Sequence, residues 1–586
     1  MMKKKSVAVL LTVAMCLSLA ACGGTSGKET VENAAETSQS AQETADEGET
    51  SGNAASSNVE SAEAQAETAA GVIPMHNANY TGTAHSATKK HDSITIAMDV
   101  APGNLSPEAV GDSGGIMWKW NVYEHLFDIN GLGGELVGVT AESYEQIDDT
   151  TYRIHLYEGV KDSDGNELHA SDVIYAYDTL IAAGNRMSGD IAKYDHGEVV
   201  DDYTVDLIMR EPLNGLSDLS AILGQPFVYC EQAAKDHNLA TEACGTGPYI
   251  VTDYQTGASL TMEARDDYWA EGADHQSIRQ CANVQQIVYK VVAEPAQNAI
   301  GLQTGELDFS GYVSATDIAN FQEGGANAES FYLDSFLDNL TTALFINCDS
   351  SQSIGGDLNF RLAVFYALDG TQLAQASGVN DFVTSSTLGN AKYPEFQKEW
   401  MTADNYYNTQ DIELAKEYLA KTDYDGAEVV IIMNNEAVLT NIATAIQAML
   451  LNIGINCKIE AEDGTITDNK QVNGEYDLIL TKMASDDYLP IVWLRWFSED
   501  FHEVSHTICQ ADDAKLQELL QKVTVVGGNT PENISAFHEY VIENGYGYGL
   551  FSECKSNVVT DAITTPCWNF QDYIIPGGCI YADNEF

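Results

Sequence analysis

The sequence predicts an α/β fold, because strand-like runs alternate with amphipathic helices along most of the chain. The chain has 586 residues, of which 44% are hydrophobic, and this is enough for a well-buried interior. The first ~90 residues lack this patterning, and the rest, roughly 500 residues, is longer than one hydrophobic core usually supports. We therefore expect two or three domains after an unstructured start.

The individual elements follow from the spacing of their apolar residues. Residues 93–98 form a β-rich run, and residues 151–157 alternate before a cluster of turn residues. A helix is predicted at 171–183, with Asp172 near its positive end. Further elements are predicted as helices at 411–420 and 512–523 and as a buried strand at 429–433.

A strand–helix–strand unit is predicted in the last third of the chain. Residues 438–451 place their apolar side chains on one helical face, and Gly454 stops this helix. A strand at 455–460 follows. This order is typical of a helix that packs on a sheet and returns the chain to it.

The first twenty-two residues predict a lipoprotein export signal. Three lysines at 3–5 precede an apolar run that ends in the sequence LAAC at 19–22. The run is too short and wrongly flanked for a membrane-spanning stop-transfer helix, so we interpret it as cleavable. Cys22 then becomes the amino terminus and carries a diacylglycerol, which predicts a lipid anchor on the extracytoplasmic face of the cell membrane. The alternative for Cys22 is a buried or free thiol.

Residues 23–90 predict a disordered, acidic stalk, because they are rich in Ala, Ser, Thr, Glu, Gln and Gly and contain few apolar residues. The whole chain carries a formal charge of −60, from 28 basic and 88 acidic residues. This charge argues against nucleic acid or an anionic lipid surface as a partner. It indicates either the solubility of an exported protein or a preference for cationic or zwitterionic ligands.

Eleven cysteines are present, and nine remain once Cys16 leaves with the signal and Cys22 is lipidated. Nine is an odd number, so at least one thiol stays free. None has the Cys-x-x-Cys spacing of a metal site, and we expect no metal and no other cofactor. Two pairs are candidates for disulfides in an oxidising location: Cys230 with Cys244, and Cys567 with Cys579.

Several sequence blocks occur in a recognisable order. The most specific are GTGPY at 245–249, a hairpin to residue 264, and RDDYW at 265–269. Three further blocks lie in the first part of the chain: YEHLFD at 123–128, AESY at 141–144 with the segment 152–160, and DG at 164–165 with the segment 170–177. Three more follow later: LQTGELD at 302–308, LFIN at 344–347 and NFRLAVFYALD at 359–369. This ordered set resembles the bacterial extracellular solute-binding proteins of the oligopeptide, dipeptide and nickel class, from about residue 92 to the carboxyl terminus.

The resemblance implies a two-lobed fold of the periplasmic-binding-protein type (type II), with a subdomain inserted in the first lobe. Lobe I would comprise 91–129, 223–340 and 555–586, and the inserted subdomain 130–222. Lobe II would comprise 341–554. A cleft between such lobes closes around a small ligand.

The resemblance also implies a ligand site. The block at 476–490 is similar to the family block in which an aspartate pairs with the α-amino group of a peptide, and counting without gaps selects Asp486. A gap of one residue would select Asp487. A carboxylate in a dry cleft is a good partner for an ammonium group, because pairing offsets the desolvation of both charges. The alternative is an acidic residue in a surface turn.

Aromatic residues and one arginine complete the predicted site. Trp118 and Trp120 precede an early block, and Trp493 and Trp496 follow the aspartates, so these rings are candidates for apolar walls or for core packing. Arg495 is a candidate for binding a ligand carboxylate, or for a structural ion pair. The predicted ligand-binding set is Asp486, Asp487, Tyr488, Trp118, Asn347, Trp493 and Arg495.

The sequence HEVSH at 502–506 has the spacing of a zinc-protease motif. We do not predict catalysis from it, because the residues around it form a poor helical turn and the resemblance places it in a loop. We expect no catalytic residue. The expected function is a monomeric, lipid-anchored binding protein that delivers peptides to an ABC permease in the membrane. The alternatives are a non-peptide ligand such as a nickel chelate or oligosaccharide, a sensory surface lipoprotein, and a zinc hydrolase that uses His502 and His506.

Overall fold

The computed structural model describes His76, 78–109, 117–131, 134–213, 216–379, 381–402, Tyr407, 409–484, 488–499, 508–525 and 527–586. The predicted signal with Cys22, most of the predicted stalk, Asp486, Asp487 and the HEVSH sequence lie outside these residues. Strands and helices alternate in the described part, and the α/β prediction is confirmed.

The strands are numbered in chain order. They are β1 (His91–Met98), β2 (Glu124–His125), β3 (Phe127–Ile129), β4 (Leu136–Gly138), β5 (Ala141–Gln146), β6 (Thr151–Leu156), β7 (Tyr194–Asp201), β8 (Thr204–Met209), β9 (Phe227–Val228), β10 (Tyr249–Gln255), β11 (Ser259–Ala264), β12 (Val284–Val291), β13 (Phe309–Ser310), β14 (Phe331–Ile346), β15 (Phe382–Thr384), β16 (Val429–Asn434), β17 (Cys457–Glu462), β18 (Leu478–Met483), β19 (Gly547–Thr560), β20 (Ile563–Thr565) and β21 (Ile580–Tyr581).

The α-helices are referred to by their bounds. They are Lys119–Val122, Ala170–Ala183, Arg186–Asp190, Leu216–Gly224, Glu231–Asp236, Pro295–Thr304, Ala315–Ile318, Leu358–Tyr366, Gly370–Ser377, Ile412–Leu419, Ala437–Asn452, Gly464–Asn473, Leu489–Phe497, Ala514–Thr524 and Pro531–Glu543. No helix in the described ranges combines the length and apolar character needed to cross a membrane.

A mixed sheet of eleven strands forms the centre of the fold. Its order is β10-β11-β12-β1-β13-β19-β14-β18-β16-β17, and β15 pairs with β19 beside this path. At one end β1 runs parallel to β12, and at the other β16 runs parallel to both β17 and β18. The first end is mixed, because β10, β11 and β12 pair antiparallel there. The other end, formed by β16, β17 and β18, is a parallel unit of the kind that helices cover.

The two longest strands, β14 and β19, cross the middle of this sheet as an antiparallel pair. The first part of β14 pairs with the end of β19, which also pairs with β13. The second part of β14, from Thr341 to Ile346, pairs with β18. The pairing of β14 with β19 shifts between Leu337 and Thr341. The two ends of the sheet are thus joined by two strands with an irregular register at their centre.

A separate antiparallel sheet has the order β5-β6-β8-β7. Helix Ala170–Ala183 packs against it and buries Val173, Tyr177 and Leu180. The helix begins where Asp172 accepts a hydrogen bond from the backbone N–H of His169 (2.8 Å). It ends at Gly184, whose φ of 62° places it in the left-handed region. The helix predicted at 171–183 is confirmed within one residue.

The hairpin β10–β11 follows the GTGPY sequence. A Cβ atom at Gly245 would lie 2.2 Å from the carbonyl oxygen of Val122, and one at Gly247 would lie 2.6 Å from that of Asn121. Glycine is required at both positions because the backbones approach too closely for any side chain. The two glycines of GTGPY therefore allow close contact between helix Lys119–Val122 and the start of the hairpin.

The predicted strand–helix–strand unit is also present. Strand β16, helix Ala437–Asn452 and strand β17 follow one another, and the helix buries Leu439, Ile442 and Ile446. Gly454, with a φ of 96°, reverses the chain after the helix. The final strand begins at Cys457 rather than at residue 455, because the chain needs these residues to turn back to the sheet.

The folded part of the chain begins earlier than predicted. Tyr80, which the sequence analysis placed in the stalk, is fully buried, and its hydroxyl group donates to the carbonyl oxygen of Ile129. Thr83 and Lys89 form isolated β-bridges with Ser277 and Glu585. Composition alone was misleading here, because one aromatic residue and a few backbone hydrogen bonds are enough to hold a short segment on a preformed surface.

All nine cysteines in the described part of the chain are free thiols. Neither of the two candidate disulfides is formed. The thiol of Cys579 instead accepts a hydrogen bond from the backbone N–H of Cys567 (3.3 Å).

Candidate ligand-binding site

The described chain just before the two predicted aspartates lies beside the crossing of β14 and β19. Strand β18 ends at Met483, which pairs with Thr341, the first residue of β14 after the register shift. The chain resumes at Tyr488, which is buried and lies at the amino-terminal boundary of helix Leu489–Phe497. The end of β18 therefore lies next to the irregular centre of the sheet, and Tyr488 begins the described chain after the predicted aspartates.

Helix Leu489–Phe497 is held by the segment 388–395. Trp493 donates its indole N–H to the carbonyl oxygen of Leu388 (2.7 Å), and the backbone N–H of Leu489 donates to the carboxylate of Glu395 (3.3 Å). Burial raises the pKa of the Glu395 carboxyl group above its ordinary value. Trp493 is fully buried and packs on Phe537 with ring centroids 4.7 Å apart, which are the contacts of a core residue.

The same segment contacts the strand crossing directly. The side-chain amide of Asn390 donates to the carbonyl oxygen of Asp338 (2.8 Å) and to the hydroxyl group of Ser552 (3.1 Å). Ser552 in turn lies 2.9 Å from the hydroxyl group of Thr341. The start of helix Leu489–Phe497 and the irregular part of β14 are therefore coupled through a few buried polar contacts.

A cluster of four charged side chains surrounds the other side of this crossing. Lys392 contacts Asp572, and His76 contacts both Asp572 (3.3 Å) and Asp334. The His76 imidazole is also stacked between the rings of Phe336 and Trp568, at 4.0 Å from each centroid.

The pKa of His76 lies above its ordinary value. Burial by itself would lower this pKa, but the carboxylates of Asp334 and Asp572 together outweigh burial. They favour the protonated imidazole. In that state two cations, on His76 and Lys392, face two carboxylates in a largely buried site.

Sequence reasoning missed this cluster. Its members come from four distant parts of the chain, and His76 and Asp334 are 258 residues apart. Asp572 also has a φ of 61°, which is uncommon for a residue other than glycine. No spacing pattern could have indicated the set, because only the folded chain brings these residues together.

Three predicted site residues make contacts within the protein. Trp118 is fully buried and lies edge-on to Tyr123, with ring centroids 6.1 Å apart. Asn347 donates its amide to the carbonyl oxygens of Gly474 and Tyr476 (both 3.0 Å). Trp118 and Trp493 therefore make the core contacts that were the alternative to a ligand-binding wall, and Asn347 makes backbone contacts.

The remaining predicted residues divide into two groups. Arg495 lies on the exposed face of its helix, and the described residues provide no ion-pair partner for it. Trp120 is buried, and Trp496 is half-buried and stacks on Phe345, with ring centroids 6.2 Å apart.

A surface pocket of about 830 Å³ lies elsewhere, at the edge of strands β6 and β8. It is lined by residues that include Glu142, His155, Tyr157, Asp201 and Tyr203.

Comparison with known proteins agrees with this architecture. Residues 135–503, more than half of the chain, match the family described as bacterial extracellular solute-binding proteins, family 5 Middle. The oligopeptide-binding protein OppA of Bacillus subtilis is 21% identical over 452 residues, which cover 70% of this chain and 76% of OppA.

Two solved structures show the same fold. HbpA2 from Haemophilus parasuis superposes with a TM-score of 0.70 at 18% identity, over 84% of this chain and 100% of HbpA2. NikA from Brucella suis, in complex with Fe(III)-EDTA, superposes with a TM-score of 0.66 at 22% identity, over 83% of this chain and 99% of NikA. The chain therefore belongs to the bacterial extracellular solute-binding proteins of family 5 and has their two-lobed α/β fold.

Proposed function

We propose that this chain is a lipid-anchored, extracytoplasmic, monomeric binding protein that delivers peptides to an ABC importer. The observation that carries the proposal is the match to the solute-binding family, and it is supported by the end of β18, just before the predicted aspartates, which lies at the strand crossing. An oligopeptide-binding protein among the relatives supports a peptide ligand. The proposal adds an anchor, a transporter and a ligand class to family membership.

The proposed site uses a carboxylate to bind the amino terminus of the peptide. Asp486 is the first candidate and Asp487 the second, with Tyr488 beside them. A charge-assisted hydrogen bond between carboxylate and ammonium is about twice as strong as a neutral one. In a closed cleft it also compensates both groups for the loss of water. The net charge of −60 favours the approach of a cationic end.

The two strands β14 and β19 provide a means of closure. A ligand that contacts both ends of the sheet favours the closed arrangement by its difference in affinity for the two states. The shifted register between Leu337 and Thr341 is a natural place for this motion, because fewer regular ladder hydrogen bonds must change there. The lobe boundaries at 91–129, 130–222, 223–340, 341–554 and 555–586 are part of this proposal.

The test is a double-mutant cycle measured by calorimetric titration. A peptide with a free amino terminus and its N-acetylated form are titrated into the wild-type chain and the Asp486→Asn variant. Each single change should weaken binding by roughly 2–5 kcal/mol, the usual cost of leaving one buried charge without its partner. The two changes together should cost no more than one, because both remove the same interaction.

The Asp487→Asn variant is the matched control, since it removes the same charge one residue away. If it shows the non-additive loss instead, the ammonium-binding role moves to Asp487. Additive losses in both variants, or no loss on acetylation, would contradict an ammonium-pairing aspartate in this loop. Binding of a nickel chelate or an oligosaccharide in place of every peptide tested would replace the proposed ligand class.

A further inference from the structure

Two loops bring together an aspartate, a histidine and a cysteine. The first loop, 162–166, follows β6, and the second, 237–247, follows helix Glu231–Asp236. One ligand atom from each of Asp164, His237 and Cys244 lies within 4.8 Å of the other two. Asp164 is exposed, His237 is half-buried and Cys244 is buried, so the group extends from the surface into the protein.

The histidine is oriented as a metal ligand would be. Its Nε2 atom points at Asp164 Oδ2 (2.6 Å), and its Nδ1 atom lies 3.1 Å from Glu242 Oε2. A carboxylate on one ring nitrogen fixes the orientation of the other toward a metal and raises its basicity. The thiol of Cys244, with an exposed fraction of 2%, faces the first loop and accepts a hydrogen bond from the hydroxyl group of Ser163 (3.3 Å).

The backbones that carry these side chains are rigidly connected. The backbone N–H of Ser163 donates to the carbonyl oxygen of Gly245 (3.1 Å), which joins the two loops. The buried guanidinium group of Arg265 donates to Asp162 O (2.8 Å) in the first loop and to Gly247 O (3.2 Å) in the second. A site on these loops is therefore largely preorganised, and only the side chains need to move.

We propose that Asp164, His237 and Cys244 form a binding site for Zn²⁺, with water in the fourth position. One thiolate, one imidazole and one carboxylate are ligands that Zn²⁺ accepts, whereas a thiolate is a poor ligand for Mg²⁺ or Ca²⁺. Bonds of about 2.0–2.3 Å in a tetrahedron place ligand atoms roughly 3.3–3.8 Å apart. Asp164 Oδ2 and His237 Nε2, which are 2.6 Å apart, must separate to reach this spacing, and the exposed position of Asp164 allows this.

Charge supports the same assignment. The thiolate and the carboxylate together balance the two positive charges of the ion, and the neutral imidazole adds none. Zn²⁺ binding displaces protons. The Cys244 thiol and the His237 Nε2 atom each release to solvent any proton they hold when they bind the ion. The bound ion would tie the loop at 162–166 in the predicted inserted subdomain to the loop at 237–247 in predicted lobe I.

Cobalt titration of the purified, reduced full chain tests the site. Co²⁺ should give a near-ultraviolet thiolate-to-metal charge-transfer band, and Zn²⁺ should abolish it at one equivalent. Cys244→Ser should eliminate the band and Asp164→Asn should weaken binding. Glu242→Gln should weaken Zn²⁺ binding by roughly 10–100-fold, the usual effect of removing the carboxylate behind a ligating histidine.

Cys230→Ser is the matched control. This nearby thiol is also buried but contacts the carbonyl oxygen of Asn166 (3.5 Å) and is not part of the set. The control should keep both the band and the stoichiometry. The absence of a thiolate band in the wild-type chain, or its survival in Cys244→Ser, would overturn the proposal. A Cys230–Cys244 disulfide in chain purified without reductant would also overturn it.

Discussion

Lys392 forms a largely buried ion pair with Asp572, 180 residues further along the chain. The exposed side-chain fractions are 8% for Lys392 and 11% for Asp572. Asp572 also contacts His76, and Lys392 lies over the ring of Phe336. The pair therefore connects the segment that supports helix Leu489–Phe497 with the carboxyl-terminal part of the chain.

Lys392→Met should lower the free energy of unfolding by about 3 kcal/mol, because it leaves a buried carboxylate with only His76 as a partner. Lys235→Met is the matched control. Lys235 pairs with Glu231 at 2.9 Å, and both side chains are largely exposed (55% and 42%), so its loss should cost no more than about 1 kcal/mol. Urea denaturation followed by circular dichroism measures both. Equal losses in the two variants would contradict the structural importance of the Lys392 pair.

Tyr80→Ala should destabilise the protein by about 3 kcal/mol, since it removes a fully buried aromatic side chain from the core. Tyr80→Phe keeps the ring and loses only the hydrogen bond to Ile129, so the expected loss is about 1 kcal/mol. Denaturant midpoints of the two variants and the wild-type chain measure these losses. If Tyr80→Ala unfolds like the wild type, residues before 91 do not contribute to the folded part.

Because His538 is buried, we expect the free energy of unfolding to fall in mild acid. It is buried and stacks on Trp400 at 3.8 Å, and burial lowers its pKa from the ordinary 6.5 to about 3. Between these values the unfolded chain binds a proton that the folded chain does not, so stability falls as pH decreases through this window. The contribution from pH 6.5 to pH 5 is about 2 kcal/mol.

The His538→Gln variant isolates this contribution, because the other titrating groups are the same in both proteins. Its unfolding free energy should fall less steeply than that of the wild type between pH 7 and pH 5. Denaturation curves at three pH values measure the difference. Parallel profiles for the two proteins would show that His538 binds protons equally in the folded and unfolded chains, which would contradict its lowered pKa.

Cys22→Ala should move the protein from the membrane fraction to the soluble extracytoplasmic fraction, because it removes the only acylation site that the LAAC sequence predicts. Cys16→Ala is the matched control, since Cys16 lies within the predicted signal and its loss should leave the anchor intact. Cell fractionation followed by immunoblotting measures the distribution. An exported Cys22→Ala chain that still resists washing from membranes would require a different anchor.

Much of the fold was predictable from local sequence. The periodicity of 438–451 predicted helix Ala437–Asn452, and the glycines of GTGPY marked a close approach of two backbones. The family resemblance rested on ordered blocks, each of which reports a local turn, strand or helix. Such features depend on residues within a few positions of one another, so a sequence pattern records them.

The sequence by itself determined the α/β class and most element positions, and it predicted an export signal and a ligand-binding aspartate at 486 or 487. Only the tertiary structure decided that Tyr80 is a core residue, that Trp118, Trp493 and Asn347 make packing and backbone contacts, and which distant side chains meet. Contacts between remote segments form two groups: the charged cluster of His76, Asp334, Lys392 and Asp572, and the group of Asp164, His237 and Cys244. Long-range pairing is set by how sheets and loops pack, and a single sequence carries no periodic signal for it.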